Sequence, residues 1–195
     1  MRAFWTAALA VLLLSAACVP VSTHPLSDPK TARLIPGLAG AWRAIIEGEQ
    51  AILHVLPRND RLAELLVVSL RDARDTARGD WMAFTLFPSR IGGDDYANLR
   101  FVGQSGEGEP DLPEGYIFAR FRLAADDTLD IWTMRAEAAR EAIEGGLQGE
   151  VKEAKWVDEI RFTASTAILR AYLEKHGPVA LFKEHLGSFR RWKRP

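Results

Sequence analysis

Between residues 41 and 134, apolar side chains recur mostly at every second position, and short clusters of Gly, Pro, Asp and Asn interrupt the alternation. A period of two is the repeat of a β-strand. The pattern therefore predicts a series of antiparallel strands joined by turns, over residues 42–47, 50–56, 62–71, 81–87, 97–102, 116–123 and 129–134, with a later strand over 157–163.

The clearest part of this pattern is a hairpin that turns at Asp126-Asp127. In its first strand, apolar side chains alternate with arginines: Ile117, Ala119, Phe121 and Leu123 against Arg120 and Arg122. The segment Leu65-Leu66-Val67-Val68 is instead apolar on both faces. Such a strand requires a closed barrel or a helix that covers the second face.

Helical patterns come late in the chain. Residues 135–144 are rich in Ala and Glu and end at Gly145-Gly146, and Ser165 is placed to cap a helix that ends at Gly177-Pro178. The spacing of Leu181, Phe182 and Leu186 predicts a second, shorter helix over 179–186, followed by a tail over 189–195.

The first eighteen residues combine a basic start with a short apolar run that ends at Cys18, the single cysteine of the chain. The run is shorter than the roughly 20 residues that a membrane-spanning helix needs. The segment Leu14-Ser15-Ala16-Ala17-Cys18 resembles the lipobox of bacterial lipoproteins. The resemblance implies that residues 1–17 are a signal peptide, that Cys18 is lipidated, and that the chain is anchored in the bacterial envelope. Because residue 19 is Val and not Asp, the implied location in a two-membrane host is the outer membrane, facing the periplasm.

Prolines recur at positions 20, 25, 29 and 36. This composition favours an extended spacer, so residues 18–36 are predicted to form a tether that displays the domain away from the lipid. Residues 37–195 are predicted to form one β-rich globular domain with C-terminal helices.

The sequence Gly40-Ala41-Trp42 at the head of the first strand is similar to the Gly-x-Trp motif of lipocalins. In that family the tryptophan packs across the closed end of an eight-stranded barrel. The expected fold class is α+β and mostly β: an antiparallel meander, or a lipocalin-like, partly closed barrel of about eight strands with one or two C-terminal helices.

The composition of the chain and the spacing of its polar residues do not indicate nucleic-acid binding, a metal site or a catalytic motif. The chain has 25 basic and 26 acidic residues, a balance that is atypical of a nucleic-acid binder. The four histidines lack the spacing of a zinc site, and Asp94-Asp95 after Gly92-Gly93 fits a polar turn better than a calcium or acid–base site. Neither a nucleophile elbow nor a phosphate-binding glycine loop occurs, so we expect no metal and no cofactor, and no motif indicates an enzymatic activity.

Two functions without an active site remain open, and an envelope hydrolase is a third hypothesis, for which the residue spacing offers no clustered nucleophile and base. The first is a structural or interaction role, in which the anchored domain presents its surface to another envelope protein. The second is lipocalin-like binding of an apolar small molecule, with aromatic strand residues as candidate ligand contacts: Trp42, Trp81, Phe121 and Trp132. The basic and aromatic tail Arg190-Arg191-Trp192-Lys193-Arg194 is either solvated or suited to anionic lipid or an acidic surface.

Overall fold

The computed structural model describes residues 19–46, 48–70, 79–105, 114–153 and 158–193. The described strands are β1 (Val21–Ser22), β2 (Gly40–Ile46), β3 (Glu49–Pro57), β4 (Ala63–Leu70), β5 (Gly79–Ile91), β6 (Asp94–Gln104), β7 (Ile117–Leu123), β8 (Thr128–Thr133), β9 (Gly149–Lys152), β10 (Glu159–Phe162) and β11 (Glu184–Arg191). The described helices are α1 (Ala136–Glu144) and α2 (Thr166–His176).

Eight strands form a closed antiparallel barrel in the order β11-β2-β3-β4-β5-β6-β7-β8. Strands β2 to β8 pair with their chain neighbours, and β11 pairs with β8 on one side and β2 on the other. The predicted mostly β fold with a lipocalin-like barrel is confirmed. Closure leaves the barrel without an open edge, and side chains on alternate positions of every strand converge on one interior.

The prediction of a short helix over 179–186 is wrong. A single 3-10 turn over Pro178–Ala180 leads instead into β11, the strand that closes the barrel. A register shift between His185 and Gly187 places both Leu186 and Phe189 on the interior. Leu181 and Phe182 precede β11 and are buried outside the barrel, so the residues that gave the helical spacing belong to two different parts of the fold.

A second layer covers part of the outer barrel surface. It consists of α1, α2 and a separate three-stranded sheet in the order β1-β10-β9, so the strand predicted over 157–163 lies outside the barrel. The helix predicted at 135–144 is confirmed as α1, and the Ser165 hydroxyl caps α2 by accepting from the Ile168 amide at 3.5 Å. Both helices precede the last barrel strand.

The two layers share a buried apolar interface. Tyr96, from the outer face of β6, packs on Phe182 with ring centroids 5.3 Å apart. Burial, together with the nearby Asp94 carboxylate, raises the pKa of Tyr96 to about 12. This interface explains why the barrel wall is apolar on both faces where the second layer covers it.

Residues 19–36 are not a free tether. Pro20, Val21 and Leu26 are almost fully buried, and β1 pairs in parallel with β10. The backbones of Ser22 and Tyr116 exchange two hydrogen bonds of 2.8 Å. Gly115 is required beside them, because it has φ +138° and a Cβ there would lie 2.7 Å from the Ser22 carbonyl oxygen. The proline-containing segment is therefore part of the folded domain.

A buried asparagine fixes this segment to the barrel. The Asn98 side chain is fully buried; its Oδ1 accepts from the Leu26 amide at 2.7 Å, and its Nδ2 donates to the Phe87 carbonyl at 3.0 Å and to the Ser89 hydroxyl at 2.8 Å. The Ser89 hydroxyl in turn lies 2.5 Å from the Ser27 hydroxyl. One side chain of β6 thus satisfies polar groups of β5 and of the N-terminal segment.

We predict that Asn98→Ala lowers the free energy of unfolding by about 2–4 kcal/mol, because it leaves buried donors and acceptors without partners. Urea denaturation measures the loss, and hydrogen exchange should show faster exchange of the Leu26 amide. Asn59→Ala, on the exposed turn after β3, is the matched control, since water replaces its hydrogen bonds to Arg61 and Leu62. Equal losses in the two variants would contradict this role for Asn98.

Candidate functional site

The barrel encloses a cavity of about 390 Å³. Every barrel strand contributes to its wall, and most of the contributing side chains are apolar, among them Leu53, Val55, Leu65, Val67, Met82, Phe84, Leu86, Leu99, Phe121, Leu129, Ile131 and Phe189. Three wall positions carry alanine, namely Ala51, Ala97 and Ala119. An eight-stranded barrel is just wide enough for side chains to fill its interior, so small residues at these positions leave space inside.

Among the described residues, the charged groups that line the cavity lie at one end. We call this end the mouth and define it by Val19, Pro20, Arg135, Glu137 and Glu184, which contribute to the lining there. The Arg135 guanidinium donates to the Glu184 carboxylate at 2.8 Å, and this hydrogen bond raises the pKa of Arg135. The arrangement suits a ligand with an apolar body and a polar end directed to the mouth.

The opposite end is closed by a compact group that we call the floor: Leu38, Trp42, Asp127 and Arg191. The Trp42 ring is fully buried, and its Nε1 donates to the Leu38 carbonyl at 2.9 Å. The Arg191 guanidinium carbon lies 4.1 Å from the centre of the Trp42 ring, a cation–π contact. Gly40 has φ +123°, and a Cβ on it would lie 3.0 Å from Arg191, so glycine leaves room for the guanidinium.

Arg191 also ties three chain segments together at the floor. Its Nε donates to the Asp127 carboxylate at 2.9 Å, and its two terminal nitrogens donate to the carbonyls of Ala39 and Gly37. Hydrogen bonds from Arg191 and Lys193 lower the pKa of Asp127. The Asp127 contribution to stability is therefore complete above the ordinary carboxyl pKa of about 4 and is lost as the pH falls through the lowered value.

The four aromatic residues predicted as ligand contacts lie in different places. Phe121 is on the cavity wall, and Trp42 forms part of the floor. Trp81 is 40% exposed on the outer surface of the barrel. Trp132 is also on the outside, where the guanidinium carbons of Arg120 and Arg122 lie 4.5 and 5.7 Å from its ring centre. The prediction that Trp81 and Trp132 contact a ligand in the barrel is therefore wrong.

The alternation of inward and outward side chains along each strand explains why Trp81 and Trp132 lie outside the barrel. Met82 follows Trp81 and faces the interior, while Ile131 and Thr133 face the interior on either side of Trp132. Neighbouring residues in a strand point to opposite faces, so both tryptophans point outward. Most of the wall is aliphatic, and the sequence interpretation missed it because it selected aromatic residues without following the phase of each strand.

The outer face near Trp132 also carries a polar cluster around Asp130. The Asp130 carboxylate accepts from the Ser188 hydroxyl at 2.5 Å and from Arg122 at 2.7 Å, and His185 Nε2 lies 3.7 Å from it. Burial opposes ionisation of Asp130, but the bonds from Ser188 and Arg122 outweigh it and lower its pKa. The Ser188 hydroxyl donates to the Asp130 carboxylate. In a nucleophilic serine the hydroxyl instead donates to a histidine, which a carboxylate orients, so this cluster does not have the arrangement of a catalytic triad.

The remaining acidic candidates are paired within the chain. Asp94 lies 2.7 Å from Arg120, and Asp95 lies 3.6 Å from Arg90. Within the described ranges, no three His, Cys, Asp or Glu side chains converge as metal ligands.

The described part of the basic tail faces the acidic turn of this same chain. Arg190 pairs with Asp126 at 2.9 Å, and Lys193 pairs with Asp127 at 3.1 Å. Arg191 is part of the floor, and residue 194 lies outside the described residues. Of the alternatives left open for this tail, these residues contact an acidic surface, and that surface is the β7–β8 turn.

Cys18, the predicted lipidation site, lies outside the described residues, which begin at Val19. Among the residues that the structure describes, neither helix is long and apolar enough to cross a bilayer.

We predict that Arg191→Lys lowers the free energy of unfolding by about 1–3 kcal/mol, because lysine keeps the charge but loses the planar fork that reaches Asp127 and two carbonyls over Trp42. Thermal and urea denaturation measure the change. Arg190→Lys, one residue away with its side chain 64% exposed, should change stability by less than about 0.5 kcal/mol. A comparable loss in both variants would show that the floor does not depend on this guanidinium.

No protein-family model, curated protein or solved structure matches this chain. The functional assignment therefore depends on the cavity, the mouth and the sequence around Cys18.

Proposed function

We propose that this chain is a lipid-anchored protein of the bacterial envelope that binds an apolar small molecule inside its barrel. The observation that carries the proposal is the apolar cavity of about 390 Å³. Small-molecule sites in proteins are mostly apolar concavities of roughly 300–1,000 Å³ with a few polar groups that orient the ligand. The cavity and its polar mouth have this character.

The alternative of a structural or interaction role does not account for the cavity. A protein that acts only through its outer surface gains stability from a filled interior, since an empty volume forfeits packing contacts. Large apolar residues in place of Ala97 and Ala119 would fill the wall. The retention of space in an otherwise well-packed barrel favours ligand binding over a purely structural role.

The anchor is the second part of the proposal and has separate support. Cys18 ends an apolar run after small residues, as the lipobox resemblance requires. Lipidation at Cys18 would hold the protein on a membrane, because two or more acyl chains bind a bilayer stably whereas one binds only marginally. In a host with two membranes, we propose the outer membrane, with the domain on the periplasmic side.

We predict that Ala119→Trp abolishes most ligand binding. The indole would occupy the cavity, so the dissociation constant for a dansyl-labelled fatty acid should rise at least about tenfold, which corresponds to about 1.4 kcal/mol. Fluorescence titration of the full chain measures this. Ala83→Trp is the matched control, because Ala83 lies on an outward position between Met82 and Phe84 and its replacement should leave binding within twofold.

The same two variants test whether the interior is empty. A side chain that enters free space should cost less than about 1 kcal/mol in stability, whereas overpacking a filled core costs about 1–3 kcal/mol. Equal dye affinity in the two variants, or a large destabilisation by Ala119→Trp alone, would contradict the carrier proposal. Mass measurement of the N-terminal peptide from envelope preparations tests the anchor, and an unmodified Cys18 would contradict it.

A further inference from the structure

We infer that the barrel rests with its mouth directly on the lipid bilayer, so that a ligand passes between the membrane and the cavity without crossing water. This inference rests on the proposed lipidation of Cys18. The bilayer is the partner that we propose for the outer surface at the mouth end of the barrel. Three observations on described residues carry it: the position of Val19, the fixation of β1, and the exposed apolar residues at the mouth end.

The chain leaves the described structure at the mouth. Val19, the first described residue, and Pro20 belong to the cavity lining. A lipid group on Cys18 would be attached to the residue that directly precedes Val19 in the sequence. No residues remain between the anchor and the barrel that could act as a spacer.

The N-terminal segment is also held firmly in this position. Val21 is fully buried beside β10, and the Ser22 backbone exchanges two hydrogen bonds with Tyr116, which immediately precedes β7. Strand β7 starts at the mouth and ends near the floor, where the Leu123 side chain lies beside Gly37. A lipid anchor attached to this segment therefore fixes which end of the barrel is nearest to the membrane.

Three exposed apolar side chains lie on the outside of the barrel at the same end. We call Ile45, Trp81 and Val102 the apolar rim; they are 70%, 40% and 60% exposed. Strand β2 starts at the floor, and successive barrel strands alternate in direction, so β2 and β6 end at the mouth and β5 starts there. Ile45 is the second-last residue of β2, Trp81 is the third residue of β5, and Val102 is the third-last residue of β6.

The chemistry of the apolar rim matches a membrane interface. Tryptophan prefers the headgroup level of a bilayer, and Ile and Val bury apolar area when they enter it. The rim lies on strands β2, β5 and β6, while the N-terminal segment adjoins β7, so contacts are distributed around the barrel end. The anchor, the apolar rim and the cavity opening thus lie at the same end of the barrel. In this orientation the apolar cavity opens onto the bilayer, which is the source of an apolar ligand.

Tryptophan quenching tests the orientation. The full chain, purified from envelopes, is reconstituted into phosphatidylcholine vesicles with or without brominated acyl chains, and the loss of tryptophan fluorescence is measured. Trp81→Phe and Trp192→Phe form a matched pair, because the two residues are 40% and 41% exposed and Trp192 directly follows the floor residue Arg191. We expect Trp81→Phe to lower the bromide-dependent quenching and Trp192→Phe to leave it unchanged.

Quenching that depends on Trp192, or equally on both or on neither, would overturn the inference. Neither substitution touches the cavity wall, so dansyl fatty acid binding should be the same in both variants and in the parent chain. A lipidated chain with the wrong quenching pattern contradicts the orientation alone. Absence of lipid on Cys18 contradicts the anchor, and absence of dye binding with the expected quenching contradicts only the carrier function.

Discussion

The structure depends on the closure of its sheet by β11, which pairs with both β8 and β2. Without this strand, two edges would be open and the inward side chains would not enclose a volume. The pairing with β2 is short, covering Arg190 and Arg191 opposite Arg43 and Trp42. The guanidinium of Arg191 reinforces this seam through Asp127, two carbonyls and the Trp42 ring. The Arg191 side chain thus links the last barrel strand, β11, to the first barrel strand, β2, and to the β7–β8 turn.

Closure separates the molecule into two apolar regions with different roles. The outer region, between the barrel wall and the second layer, is filled by large side chains such as Tyr96, Phe162 and Phe182. The inner region has alanine at several wall positions and retains a cavity. Its charged groups lie at the mouth, where the described N-terminal segment begins with Val19. Ligand space and the site of the proposed anchor therefore come together through the same packing of residues 19–27 on the barrel.

Period-two alternation was sufficient to predict the seven consecutive strands and the mostly β class, because each strand buries one face. It failed for β11, because Leu181 and Phe182, which precede the strand and are buried outside the barrel, combine with the inward Leu186 to imitate helical spacing. The proline-rich composition of residues 19–36 suggested a spacer, yet Val21 and Leu26 are buried by contacts far away in sequence. Local patterns do not encode such long-range pairing, as the bond between Leu26 and Asn98 illustrates.

The candidate site was predictable only in part for the same reason. The phase of each strand identifies inward positions, and it excludes Trp81 and Trp132 once it is followed residue by residue. Whether the enclosed side chains fill the barrel depends on their summed volumes across all eight strands, which no local pattern reports. The pairing of the Asp126-Asp127 turn with the basic tail likewise required the closed topology.

The proposal that the barrel carries an apolar molecule is best tested by native mass spectrometry. The full chain is isolated from cell envelopes without added fatty acid and exchanged into a volatile buffer. A ligand in the barrel adds the mass of one apolar molecule per chain; organic extraction should release this molecule, and the Ala119→Trp variant should lack it. A chain that carries only its covalent modifications, in the parent protein as in the variant, would contradict the claim that the barrel is a carrier.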